Sequence, residues 1–381
     1  MPRLDERQRG VLRATVTPLA SIFGSGFLII VPVLERTTGA WSPLAIAGVC
    51  ALAWVVGSVV RHVVREVEPR LAAGDLGRAA RRLERGSDVV IVVAYVISVA
   101  LYLRIMAEYI VEGLGLSSPL ERERAIAVVA IVAIVVLGVR RGFTGLDFVD
   151  RVALGSVLLL VVLLSAYLLV HDVGLVAAGD WPRPPPTGAS AIEIVLVLGG
   201  ILITVQGFET VRFLGDEFDA ETRIWASRLA QIVASVVYIG FVVLATPLMG
   251  TSVGESPDAT LLDLVARLAA FLVLPLVLVG TLSQLAAAVA DTAAAEGNLH
   301  GLGRAFRGPR AILISGVVAA ALAATMPLFS IIAVASRAFA LYYALQCLVA
   351  LSTTKSRWRR VGLIVLALAL VGITVFARPV G

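Results

Sequence analysis

The chain has 381 residues, 59% of them hydrophobic and 15% charged, with a mean hydropathy of +0.94. That balance excludes a soluble α/β enzyme, in which short apolar runs alternate with charged amphipathic helices. The formal net charge of +5 is compatible with nucleic-acid binding, but the arginines cluster in alternate loops between apolar runs, so no nucleic-acid partner is expected.

In chain order, residues 1–13 carry Arg3, Arg7, Arg9 and Arg13 ahead of an apolar segment too long for a signal-peptide core and without a small-residue cleavage site, so the first span is expected to stay in the protein. Eleven spans are expected, at 14–34, 42–63, 88–112, 124–139, 149–170, 191–214, 225–249, 268–290, 311–328, 330–352 and 361–377. The charged stretch 61–86 after span 2 reads as a solvated connector in preference to a helix lying on the membrane. The loop 177–186 is stiffened by proline, and 260–268 reads as a short helix across the outer face. The N-terminus and the loops after even-numbered spans hold 24 basic residues, against five after odd-numbered spans, which places the N-terminus in the cytoplasm of a multi-pass plasma-membrane protein. Cys50 and Cys347 fall inside spans, and His62, His171 and His300 are scattered, so neither a disulfide, a metal site nor a cofactor is expected. Paired catalytic acids or a Ser/His pair at span depth are absent from the sequence pattern, and an enzyme is not expected.

Two spans carry a polar, glycine-marked interruption near their middle: Gly24-Ser25-Gly26-Phe27 in span 1 and Thr204-Val205-Gln206-Gly207-Phe208-Glu209 in span 6. An unsatisfied backbone group in lipid costs several kcal/mol, so a helix unwinds there only where protein, water or a ligand supplies the partner. A matched pair of breaks points to a transporter's binding site. Spans 1–5 (14–170) and 6–10 (191–352) have nearly equal lengths and each begins with its interrupted helix. Because five is odd, the second half enters from the opposite side. The expected fold is therefore an all-α polytopic membrane protein with a 5+5 inverted repeat, discontinuous helices 1 and 6, an outer loop at 171–190, and an extra helix 11 within 353–381.

These features resemble the amino acid–polyamine–organocation (APC) superfamily, whose fold is LeuT-like. Gly24-Ser25-Gly26-Phe27 matches its first-helix motif. Gly207-Phe208-Glu209, followed by Asp216-Glu217, matches its sixth, and 288–302 is similar to its eighth helix leaving the membrane. The Asp-Pro-Gly motif of divalent-metal members is absent from span 1. The resemblance implies a secondary active transporter, or permease, of amino acids or related small organic amines, working by alternating access. Alternatives are a nutrient receptor or sensor subunit of the same fold without net transport, and a carrier of a polyamine or nucleobase.

The expected partners are a small-molecule substrate, an amino acid, and the lipid bilayer. Its α-carboxylate is expected on the amides of Ser25, Gly26 and Phe27 beside Gly24, at a positive half-helix end. Its ammonium is expected on carbonyls near Ile22, Thr204 and Val205. Phe208 is a gate candidate weighed evenly against packing. Buried Glu209 either takes a proton or braces the unwound segment, and bracing is preferred. Pocket candidates are Tyr95, Ser98 and Tyr102 on span 3, Thr281 and Gln284 on span 8, and Arg337 with Tyr342 on span 10. Arg104 is expected to pair with Glu108, four residues on, and Glu209 is one partner for Arg337. Some proton-coupled relatives place a lysine on span 5; here that region offers Asp147, Asp150, Arg151 and Ser156. A sodium site would draw on Thr281, Ser283 and Thr292, so a co-transported proton, sodium, or neither stays open.

Overall fold

A computed structural model describes residues 5–378 apart from 118, 143–146, 183, 185–189, 250–260 and 303–307; the side chains of 25, 147–149 and 300–302 are also outside the description. The described residues form helices α1 (Glu6–Thr38), α2 (Ser42–His62), α3 (Glu68–Ala72), α4 (Arg78–Gly113), α5 (Pro119–Arg141), α6 (Asp147–Ala178), α7 (Ala191–Gly200), α8 (Ala220–Ala245), α9 (Leu261–Ala269), α10 (Val273–Leu302), α11 (Pro309–Thr325), α12 (Leu328–Leu351) and α13 (Arg357–Phe376), and no strand. Helix covers most of each expected span except the sixth, which is interrupted, and the short helix expected at 260–268 is α9. Among the described residues, seven helical stretches are long and apolar enough to cross a membrane; the first, Glu6–Ala72, contains both α1 and α2. Ala191–Gly200 and Pro309–Thr325 are shorter apolar helices.

Local chemistry starts the helices. Capping boxes open α1 (Asp5 with Gln8) and α7 (Ser190 with Glu193). Asp219 caps α8 by accepting from the Thr222 amide at 2.8 Å.

Counterpart helices of the two halves lie against each other. Gly26 of α1 meets Thr204, while Ile22 meets Gly207, so α1 and the sixth span run antiparallel. Arg61 of α2 reaches Ser227 of α8, and Gln231 donates to the Ala53 carbonyl at 2.7 Å, again antiparallel. Gly113 of α4 faces Val277 of α10, and Tyr109 lies beside Gly280 further back along it. Gly316 of α11 meets Val135 of α5. The repeat is thus inverted in space as well as in order. The end of the bundle where α1 begins is called the N-face below.

The sixth span is discontinuous, as expected. α7 stops at Gly200, a 3-10 turn follows at Leu202–Val205, Gln206 is extended, and Gly207 takes φ +128° before a second 3-10 segment, Phe208–Leu214. Gly207 is required twice over: that φ strains any L side chain, and a Cβ there would lie 2.7 Å from the Ile22 nitrogen.

The first span departs from expectation. α1 is one unbroken α-helix from Glu6 to Thr38, passing through Gly24–Gly26 without unwinding. The glycines act as contact points instead: Gly24 sits on Ala287, and a Cβ on Gly26 would run into the Thr204 carbonyl. Pro32, inside the helix, cannot donate to the Leu28 carbonyl one turn back; the Tyr109 hydroxyl fills that place at 2.9 Å.

The 61–86 connector also differs from a solvated chain. Val63, Val64 and Val67 are buried, and Glu68 of α3 pairs inward with Arg212 and Arg223.

The close crossing at Gly26 is testable in purified protein. Gly26→Ala forces two backbones apart and is expected to cost about 3 kcal/mol, read as a lowered Tm in detergent. Gly240→Ala on α8, where an added Cβ meets nothing within 4 Å, is expected to stabilise by about 0.5–1 kcal/mol. Equal effects would contradict the crossing.

Candidate functional site

The break in span 6 leaves backbone donors that lipid cannot satisfy, and the surrounding helices supply partners. The Ile203 amide donates to Ser336 Oγ at 3.1 Å, and the Gly207 amide to Glu209 Oε2 at 2.9 Å. That carboxylate oxygen also accepts from the Tyr343 hydroxyl at 2.8 Å, and Glu209 is fully buried. Phe208 stacks on the Tyr343 ring with centroids 5.4 Å apart, a packed position. Thr204 turns its hydroxyl back onto the Ile201 carbonyl at 2.8 Å, and Val205 is buried.

On α1 the carbonyls near the glycines also have side-chain donors. Tyr238 donates to Ile22 O and Gln284 Nε2 to Gly24 O, each at 2.7 Å. Phe27 packs on Phe241, and the side chain of Ser25 lies outside the description. The expected site residues of spans 1 and 6 are therefore brought together, but as a direct helix-on-loop contact in which the Ile22 carbonyl already holds a hydroxyl.

The open space lies next to this crossing, on its N-face side. A cavity of about 90 Å³ is enclosed by α1, α6, the second 3-10 segment of span 6, and α10. Its polar lining comes from Thr17, Ser21, Asp150, Thr210, Ser283 and Asp291. Asp291 is only 3% exposed, and among the described residues its Oδ2 and the Ser21 Oγ have no hydrogen-bond partner. The Tyr102 hydroxyl sits beside the Asp291 carboxylate, and Glu209 is near enough for the two charges to interact. Glu209 Oε1 and the Tyr95 hydroxyl are likewise buried without a partner. Of these groups Asp291 and Ser21 line the cavity itself, while Glu209 and Tyr102 lie behind Asp291.

Several expected roles do not hold. Arg337 donates through Nε and Nη2 to the Ala377 carbonyl, tying α12 to the end of α13, so it is no partner of Glu209. Arg104 pairs with Glu123 at 3.2 Å, because the start of α5 folds back over α4, while Glu108, the expected partner, also attracts it. Ser98 bonds its own helix at the Ala94 carbonyl, and Thr292 bonds Ala288. Thr281 is half-buried and lines no part of the cavity. Tyr95 borders the cavity only through Phe213, its edge-on neighbour.

Asp291 is the residue that sequence reasoning missed. The expected end of span 8 at 290 left it one position outside, although an acid two turns beyond Ser283 and Gln284 on an apolar helix is itself the signal. Also missed was a charge network closing the N-face behind span 6. Arg212 pairs with Glu84 and, at 3.3 Å, with Glu68, and donates to the Tyr342 hydroxyl at 3.2 Å. Arg223 meets Glu68 at 2.8 Å, and Gln346 donates to Glu84. Glu84, placed in a loop by hydropathy, is 3% exposed.

Antiparallel helix pairs, a broken sixth span and buried acids beside a cavity describe a polytopic helical membrane protein. A family model described as APC superfamily transporter matches residues 2–377. An uncharacterized protein of Aquifex aeolicus (strain VF5) is 32% identical over 388 residues, covering 98% of this chain and 92% of that protein. The chain belongs to the APC superfamily of transporters.

The N-face network yields a prediction. Arg212→Leu strands Glu84 without its cation and leaves Glu68 with Arg223 alone, and is expected to cost about 3–5 kcal/mol, seen as a lower Tm and poorer yield. Arg212→Leu combined with Glu84→Leu is expected to recover part of that loss, whereas two additive losses would argue against the pairing.

Proposed function

We propose that this transporter is a secondary active permease of amino acids or related small organic amines in the plasma membrane, with the N-face cytoplasmic, working by alternating access. The observation that carries the reading is the unpartnered, buried Asp291 oxygen facing a cavity beside the crossing of α1 and the broken sixth span. A buried carboxylate is costly unless paired or neutralised, and a substrate ammonium supplies both the charge and the hydrogen bonds. For a substrate carboxylate to reach the amides of Ser25, Gly26 and Phe27, the crossing of Gly26 on Thr204 and Gly207 on Ile22 has to open and α1 has to unwind there, because in the intact helix those amides are bonded within α1. The basic loops on the N-face support its cytoplasmic placement.

Proteoliposomes holding the purified protein test this directly, with labelled amino acids and amines offered under proton and sodium gradients applied separately. Uptake and counterflow of an ammonium-bearing solute are expected. Asp291→Asn is expected to lower uptake at least about tenfold, the order expected from losing one charge-assisted contact, while leaving Tm in detergent within a few degrees. Binding without counterflow would point to a sensor, and full uptake by Asp291→Asn would remove the carboxylate from the site.

A further inference from the structure

A second cleft, remote from the carrier cavity, opens where the N-face ends of α2, α8 and α13 meet. Its volume is about 650 Å³, within the roughly 300–1,000 Å³ of small-molecule sites. One wall carries Arg61, Arg65, Arg228 and Arg359, with Glu66 as the one acid in the lining. The other is apolar and includes Val55, Val59, Leu363 and Leu366.

The charges do not cancel locally. Arg65 is paired with Glu221 at 2.8 Å, and Glu66 leans towards Arg70 at 3.8 Å. Among the described residues Arg61, Arg228 and Arg359 have no carboxylate partner. Arg61 and Arg228 are close enough to repel one another. Arg61 is buried and held in place, stacked 4.7 Å from the Trp54 ring and donating to Gln231 and to the Trp54 carbonyl. His62 is engaged with Thr353 at 2.9 Å. Arg228 lies 4.8 Å from the Trp225 ring.

The surroundings mark the level of the membrane boundary. Trp225 is 46% exposed and Trp358 is 85% exposed, both in the first turns of their helices at this end, and tryptophan favours the lipid–water interface. Below them Trp54 and Val55 face outward from the bundle. A free anion would use only the basic wall. A phospholipid uses both, its phosphate against the arginines and an acyl chain along Val55, Val59 and Leu366.

The geometry points to a binding site for an anionic phospholipid in the cleft between α2, α8 and α13, with Arg228 and Arg359 holding the headgroup phosphate beside the fixed charge of Arg61. Basic pockets between membrane helices are an established way to hold acidic headgroups. The site lies on the outer surface of the bundle, away from the carrier cavity, so its occupancy is separable from the transport reading.

Delipidated protein in detergent, titrated with phosphatidylglycerol or phosphatidylethanolamine and followed by native mass spectrometry and Tm, tests it. Retention and stabilisation are expected with phosphatidylglycerol and not with phosphatidylethanolamine. Arg228→Gln with Arg359→Gln is expected to weaken phosphatidylglycerol binding about 25-fold, about fivefold for each arginine at a membrane surface, with lipid-free Tm unchanged. Should the double variant fail to fold, exposed Arg359→Gln alone carries the fivefold expectation. Gly362→Trp, which fills the apolar wall, is expected to reduce lipid binding as well. Equal binding of both lipids, unchanged affinity in the arginine variants, or glycerol 3-phosphate binding as tightly as the lipid would each overturn the assignment.

Discussion

One backbone amide organises much of the interior. Where span 6 breaks, the Gly207 N–H has no helical acceptor, and a bilayer offers none. Glu209 accepts it, but a carboxylate taken out of water needs further donors, and the Tyr343 hydroxyl supplies one. Tyr343 is held by stacking on Phe208 and by Tyr342 at 5.3 Å. The Tyr342 hydroxyl accepts from Arg212, whose charge is balanced by Glu84 and Glu68. The consequence of one broken helix therefore runs through span 10 to the N-face, where it ends in a charge network joining span 6 to α3 and α4. Each step satisfies the polar group exposed by the step before.

Glycine does two different jobs in the two counterpart spans. At Gly207 it permits a backbone conformation closed to other residues. At Gly24 and Gly26 it removes bulk so that an intact helix can press on Ala287 and on the Thr204 backbone. Carbonyls along α1 receive hydroxyl and amide donors from three helices, α4, α8 and α10. The helix is thus fastened to both halves of the repeat at the level of the break, and the remaining free volume lies to one side of it.

Charge is distributed by depth. Among the described residues, acid oxygens without a hydrogen-bond partner on Glu209 and Asp291 are buried inside the bundle, Asp291 on the cavity wall. Unpaired arginines are at its rim near tryptophans. The first arrangement favours a small cationic guest and the second an acidic surface, and low dielectric strengthens the first while salt screens the second.

Much of this was legible in the chain. Hydropathy and its spacing mark the membrane helices, the odd number of spans per half dictates inversion, and Gly207-Phe208-Glu209 flags the break in span 6. These are local properties, carried by composition and periodicity. What tertiary structure alone decided is which partner each polar group finds. Nothing in Gly24-Ser25-Gly26 distinguishes a glycine that unwinds from one that lets a neighbour approach, because the difference lies in Thr204 and Ala287, far along the chain. Arg104 finds Glu123 as well as Glu108, and Arg337 the Ala377 carbonyl, for the same reason. Asp291 and Glu84 sat just past span boundaries drawn from hydropathy, yet both are buried, since protein packing and not the apolar run determines where water is excluded.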